Sequence, residues 1–158
     1  MSTKADFSVE EWDLLRSSPL MASILVMAAS PSGPIGVVQE STAAGRVILQ
    51  AAATAQTPLL KTLAEDLQST MSIPKPPAGA TPAHVQEAAA EILRRTADLL
   101  AKKATPEEAA EYKQWLVKVA QATAEASKEG GFLGIGGTLV SAEEKTALAA
   151  VNTALGVA

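Results

Sequence analysis

The pattern of apolar and polar residues along the chain is that of several helices separated by short proline-, glycine- and hydroxyl-rich segments. In residues 58–71, 82–103 and 106–128, apolar side chains recur every three or four positions, which is typical of amphipathic helices. Residues 19–29 differ, because they are apolar or small throughout and have no polar face. This pattern predicts a short, fully apolar central helix, buried on every side, around which amphipathic helices pack.

Hydroxyl residues mark the expected helix starts. Ser8, Thr105 and Ser141 each stand three positions before a glutamate, which is the spacing of a capping box. Further starts are indicated by a hydroxyl residue followed by proline, which is favoured at the first helical position: Ser18, Thr57 and Thr81. Together these signals predict about seven helices, over residues 9–16, 19–29, 35–54, 58–71, 82–103, 106–128 and 142–155.

The best internal boundary is the segment 72–80, SIPKPPAGA, whose prolines predict an extended linker. The residues on either side of this segment are too few for each half to form a core of its own. We therefore expect one all-α domain over residues 1–158, a single-domain bundle with a Pro-rich crossover at 72–80. No segment predicts a convincing strand.

Composition excludes several classes of function. The net charge is −4 and no more than two basic residues are adjacent, which disfavours nucleic-acid binding. There is no cysteine, so thiolate chemistry is excluded, and the single histidine, His84, is too few for most hydrolytic zinc sites and lacks a partner for a triad. We expect no catalytic residues, no metal and no cofactor, and an enzyme is disfavoured.

The apolar run near the N-terminus predicts neither a membrane span nor a secretory leader. At about 1.5 Å per residue it is too short for a hydrocarbon core of about 30 Å. The residues before it are acidic, with Asp6, Glu10, Glu11 and Asp13 against Lys4 and Arg16, whereas a secretory n-region is positive. We expect a cytoplasmic protein.

Glu40 is a candidate ligand or buried charge. It is the first charged residue after the uncharged run, and it falls on an apolar stripe of the third predicted helix that contains Val37, Ala44, Val47 and Ala51. A carboxylate on a core-facing stripe must be paired or protonated. A ligand-binding or proton-binding role and a purely structural ion pair both account for it, and we expect a basic or hydroxyl partner without a metal.

The glycine-rich turn 130–137 is a candidate docking turn. Phe132, Leu133 and Ile135 are large apolar side chains among five glycines, and ordering such a loop costs much backbone entropy. Something is therefore expected to cover them. Either the bundle itself does so, or a protein partner or a second copy of the chain does.

The last part of the chain resembles the final helix of TerB-like tellurite-resistance domains: a glycine-rich turn, Ser141-Ala-Glu-Glu144, then Leu148, Val151 and Leu155. The early apolar helix, the Ser/Gly turn at 30–36 and the helix after it are similar to the opening of those domains. The resemblance implies an all-helical fold and a cytoplasmic location. TerB-like domains are thought to bind metal through acidic residues in these turns, but here Pro31, Gly33 and residues 134–137 stand there without Asp or Glu.

Two classes of function follow. The first is a non-catalytic helical interaction module, favoured by the missing catalytic residues and the apolar turn. The alternative is a small-molecule-binding bundle or carboxylate-based enzyme with a site near Glu40. A pocket at Glu40 would favour the second class, and a closed core the first.

Overall fold

The computed structural model describes residues 1–30, 33–69, 79–126 and 140–157, with the backbone alone at 33–35, and every regular element in these ranges is helical. A single 3-10 turn, Lys4–Asp6, comes first. Six α-helices follow: α1 (Val9–Met27), α2 (Gly33–Thr54), α3 (Pro58–Ser69), α4 (Pro82–Lys103), α5 (Pro106–Ala126) and α6 (Ala142–Leu155). The all-α class is confirmed, whereas the described residues form six α-helices where about seven are predicted.

The helix count differs because α1 continues through Pro19, where the sequence predicts a new helix start. A proline inside a helix lacks the N–H that would bond the carbonyl four residues earlier, a defect of about 3 kcal/mol. Here the carbonyls of this turn have other donors. The hydroxyls of Ser17 and Ser18 donate to Leu14 O at 2.9 and 2.7 Å, and Leu15 O accepts a hydrogen bond from Tyr112 on α5.

Helices α1 and α5 form the centre of the bundle, and each contacts all the other α-helices. Helices α2 and α3 pack together on the α5 side, while α4 and α6 pack together against α1. Residues 19–27 of the apolar segment therefore lie in a central helix, as predicted, but the segment is neither a helix of its own nor buried on every side: Leu20, Ile24 and Met27 are half-buried. These three residues follow one another at the spacings of four and three that mark a single face of a helix, so one stripe of α1 is only partly covered.

The three predicted capping boxes are present. At Ser8, Thr105 and Ser141 the hydroxyl accepts from the backbone N–H of the glutamate three positions on, and that glutamate accepts from the backbone N–H of the capping residue. Gly156 ends α6 at φ 62°, in the left-handed region that favours glycine. These contacts fix where the helices begin and end independently of the core.

Two hydroxyl pairs lie inside the apolar core and tie α1 to its neighbours. Ser18 and Thr96 place α1 against α4 with their oxygens 2.6 Å apart, and Thr123 donates to Ser23 at 3.0 Å between α5 and α1. All four side chains are buried. Because an unsatisfied buried hydroxyl is costly, these pairs favour one register of the three helices over shifted alternatives.

Candidate functional site

Glu40 lies on the inner side of α2. Its side chain is 2% exposed and takes part in a polar interaction. It shares its buried stripe with Gly36, Ala44 and Ile48. The type of partner expected for Glu40, and its role as a ligand, stay predictions.

The stripe itself is offset from the predicted one. Val37, placed on the core face by the sequence, is 43% exposed, and Ile48 is buried instead, while Val47 is partly buried. The reason is that α2 packs against both α5 and α3, so that two adjacent lines of residues face inward. Alanines, which fit either face, do not distinguish these lines in the sequence.

The candidate docking turn with Phe132, Leu133 and Ile135 lies outside the described residues, as does most of the crossover at 72–80. Its role as an interface stays a prediction. The described helices on both sides of residues 70–78 pack against one another, since α1 contacts α4 and α2 contacts α5.

A groove of about 840 Å³ runs along the surface where α2, the start of α3 and α5 meet, and we call it the α2–α5 groove. Its floor is apolar and half of the floor residues are alanines. The floor consists of Val47, Ala51, Ala55, Leu60, Ala110 and Trp115. The alanines leave the space that the groove occupies. Polar side chains form the rim: Gln50, Thr54, Gln56, Thr57, Glu107, Glu111, Gln114 and Lys118.

Trp115 anchors the floor of the groove. Its side chain is buried, its indole N–H points to Val47 O at 3.4 Å, and its ring meets that of Tyr112 edge to face with centroids 5.5 Å apart. An aromatic ring fixed on several sides is a rigid apolar surface, and binding to it costs little side-chain entropy.

On the rim of the groove, Glu111 joins α5 to the start of α3. Its carboxylate accepts from the backbone N–H groups of Gln56 and Thr57 at 2.6 and 2.9 Å, and from the Thr57 hydroxyl. These bonds satisfy free N–H groups at the start of α3 and hold it against α5. Glu111 is therefore a structural clamp, and the other charged rim residues, Glu107 and Lys118, remain exposed.

Sequence reasoning missed this groove. The residues Glu107, Glu111, Gln114 and Lys118 follow helical spacing and indicate only a solvated face of α5. The sequence does show small side chains, the alanines of α5 and α2, that could leave space for a groove. They indicate one only if α2 and α5 are neighbours, which the sequence does not specify.

The buried carboxylate of Glu108 has a structural role. Burial raises the pKa of Glu108, but hydrogen bonds from the Thr105 and Ser2 amides and the Ser2 hydroxyl outweigh it, so the pKa lies below its usual value. Those bonds tie the chain start to the first turn of α5, with Ser2 N and Oγ each 2.8 Å from the carboxylate. Glu108 thus acts as a cap.

No cluster of metal-binding side chains is found within the described ranges. There, no three His, Cys, Asp or Glu side chains are grouped so that they could hold a metal ion. His84 is exposed in the first turn of α4. Among the helices described, none has both the length and the hydrophobicity that crossing a membrane requires.

Comparison with known proteins gives the chain no relatives. No protein-family model, no curated protein and no solved structure matches it. The resemblance to TerB-like domains therefore stays a prediction, and function must be argued from the geometry of the bundle.

Proposed function

We propose that this chain is a non-catalytic cytoplasmic interaction module whose α2–α5 groove binds an apolar segment of a partner protein. The observation that carries the proposal is the groove of about 840 Å³ over a rigid floor formed by Trp115, Leu60 and alanines. Concave apolar surfaces with a polar rim are the usual form of a docking site for a helix or peptide.

The dimensions of the groove favour a helical partner. Along α5 it extends from Glu107 to Lys118, which at about 1.5 Å per residue is roughly 16 Å, or three helical turns. Large apolar side chains at i, i+3, i+4 and i+7 of a partner helix would fit over the small side chains of Ala51, Ala55 and Ala110.

The charges at the two ends favour one orientation of that helix. Glu107 lies at one end and Lys118 at the other, and neither forms an ion pair within the described ranges. A partner segment with a basic residue near Glu107 and an acidic residue near Lys118 would complement both. Such rim charges chiefly set orientation and association rate.

The turn with Phe132, Leu133 and Ile135 is part of the proposal as a second docking element, for a partner or for another copy of the chain. Replacing all three residues with serine and measuring thermal stability and self-association tests it. We expect self-association to fall with the melting temperature little changed. A large fall in melting temperature with association unchanged would assign the three side chains to the core.

A small-molecule-binding or carboxylate-based function near Glu40 is the second candidate. The burial of the Glu40 side chain supports it, because buried carboxylates are enriched at functional sites. It ranks second because Glu40 lines neither the α2–α5 groove nor the other grooves described for this chain.

Site-specific photocrosslinking in the cell that makes the protein tests the groove. A photoreactive amino acid at Gln114, on the rim, should give one recurring crosslinked protein, while the same group at Arg95, exposed on α4, should not. In the blocking variant Ala110→Trp the crosslink should disappear. Ala110 is exposed, so the variant is expected to fold. Equal crosslinking at both positions, or a crosslink that survives Ala110→Trp, would refute docking in this groove.

A further inference from the structure

A second groove, of about 460 Å³, lies between α4 and α6 above the end of α1, and we call it the α4–α6 groove. Its floor is formed by Leu25, Ala90 and Ala147. As in the first groove, alanines on neighbouring helices leave the space. A volume of this size is within the range of small-molecule sites, about 300–1,000 Å³.

Two carboxylates stand on the rim of this apolar floor. Glu87 belongs to α4 and Glu143 to α6, and both are exposed. Neither forms an ion pair within the described ranges, and the described residues that line the groove include no lysine or arginine. The groove therefore combines apolar surface with negative charge that no lining residue neutralises.

The remaining polar side chains of the rim also present hydrogen-bond acceptors. The hydroxyl proton of Thr146 is donated to Ala142 O at 2.9 Å, which leaves its oxygen lone pairs for a ligand. Gln86 directs its amide nitrogen to Leu25 O at 3.5 Å, which leaves the amide oxygen as an acceptor. A ligand that matches this rim must be rich in donors and positively charged.

We propose that the α4–α6 groove binds a small aliphatic amine. The ammonium group, with three donors and one positive charge, would lie between Glu87 and Glu143, and the alkyl chain would lie on Leu25, Ala90 and Ala147. This site is independent of the α2–α5 groove, so either proposal stands if the other fails.

Titration of the isotope-labelled protein with n-hexylamine and with 1-hexanol, followed by amide NMR shifts, tests the proposal on the unmodified chain. The two probes share a six-carbon chain and differ in charge. We expect shifts at residues 86–90 and 146–150, and about tenfold tighter binding of the amine, since each exposed ion pair contributes roughly two- to five-fold. Equal affinity for the two probes, or shifts elsewhere, would overturn it.

Two double variants test whether Glu87 and Glu143 are the carboxylates that attract the amine. In Glu87→Gln/Glu143→Gln, n-hexylamine should bind no better than 1-hexanol, because both carboxylates are gone. The control Glu65→Gln/Glu125→Gln removes two exposed carboxylates, one from α3 and one from α5, and should leave the preference intact. An unchanged preference in the first variant, or a lost one in the control, would show that overall charge and not this groove attracts the amine.

Two further measurements fix the position and the kind of ligand. Ala90→Leu fills the floor and should weaken the binding of both probes, and unchanged binding would place them outside the groove.

The peptide acetyl-Ala-Lys-Ala-amide presents the same ammonium on a peptide backbone. It should bind more weakly than n-hexylamine, and tighter binding would assign the groove to a lysine of a protein partner instead.

Discussion

The hydroxyl of Tyr112 donates a hydrogen bond of 2.6 Å to the carbonyl of Leu15, the oxygen that Pro19 leaves without its helical donor. Both residues are fully buried, so no bulk water can replace the missing N–H. An unsatisfied buried carbonyl costs about 1–3 kcal/mol. The tyrosine of α5 therefore supplies the donor that Pro19 lacks, to a carbonyl 97 positions away in the sequence.

A double-mutant cycle should show this dependence. Tyr112→Phe alone is expected to lower the free energy of unfolding by about 1–3 kcal/mol. In a Pro19→Ala background the new backbone N–H can bond Leu15 O, so Tyr112→Phe should cost about 1 kcal/mol less. Urea denaturation of the four proteins measures the coupling. Thr123→Val, which disturbs a different hydroxyl pair, is the control, and its effect should add to that of Pro19→Ala. If the effects of Tyr112→Phe and Pro19→Ala also simply add, the proposed compensation is contradicted.

Alkaline unfolding should be governed in part by the same residue. Burial raises the pKa of Tyr112 well above its ordinary value, and a hydrogen bond with Ser18 opposes this only in part. Above pH about 10 the tyrosine of the unfolded chain ionises while that of the folded chain stays protonated, so stability falls by about 1.4 kcal/mol per pH unit from this group.

Tyr112 is the chain's only tyrosine, so tyrosinate absorbance reports on it directly. Absorbance should rise with pH only as the helical circular dichroism is lost. In Tyr112→Phe the decline of stability above pH about 10 should be shallower. A simple titration near pH 10 with full helix content would show that the hydroxyl is accessible in the folded state.

Asp66 should stabilise the fold in a pH-dependent manner. The hydrogen bond from the Trp12 indole, at 2.9 Å, and the contacts with Lys4 and Arg16, each at 3.1 Å, hold the pKa of its carboxyl below the usual value, although partial burial opposes them. A lowered folded pKa contributes stability that is present above the unfolded pKa and lost as pH falls through the folded one.

We therefore expect Asp66→Asn to reduce stability by about 1 kcal/mol at neutral pH, and the difference from the unmodified protein to shrink below pH about 4. Urea denaturation at several pH values measures it. Asp13→Asn is the matched control: Asp13 is exposed and, among the described residues, its ion pair is with Arg16, so the change should stay within about 0.5 kcal/mol. A loss at Asp66→Asn that does not vary with pH would mean that shape rather than charge matters there.

Elemental analysis tests the expectation that Glu40 binds no metal. Purified protein should carry no stoichiometric transition metal or calcium, because neither the sequence nor the described residues place a second and third ligand beside this carboxylate. Glu40→Gln keeps the shape of the side chain and is the comparison. A stoichiometric metal that is present in the unmodified protein and lost in Glu40→Gln would contradict this expectation and assign Glu40 to a metal site.

Local signals in the sequence predict most helix ends. The bounds of α4 and α6 agree with the predicted ones, and α3 and α5 begin at the predicted residues. The capping boxes at Ser8 and Ser141 are satisfied within four residues, so no distant part of the chain can change them. The pairing of Phe7 with Trp12 across the first cap, with ring centroids 5.9 Å apart, is local in the same sense.

What the sequence determined by itself is thus the all-α class, the capping boxes and the apolar C-terminal half of α1, because each depends on residues within a turn or two of one another. Only the tertiary structure decided that α1 runs through Pro19, that Ile48 and not Val37 faces inward on α2, and where the two grooves lie. The donor that replaces the Pro19 N–H comes from α5, and the grooves exist because alanines of different helices meet. Such contacts join residues far apart along the chain, and a pattern confined to one helix carries no information about its neighbour.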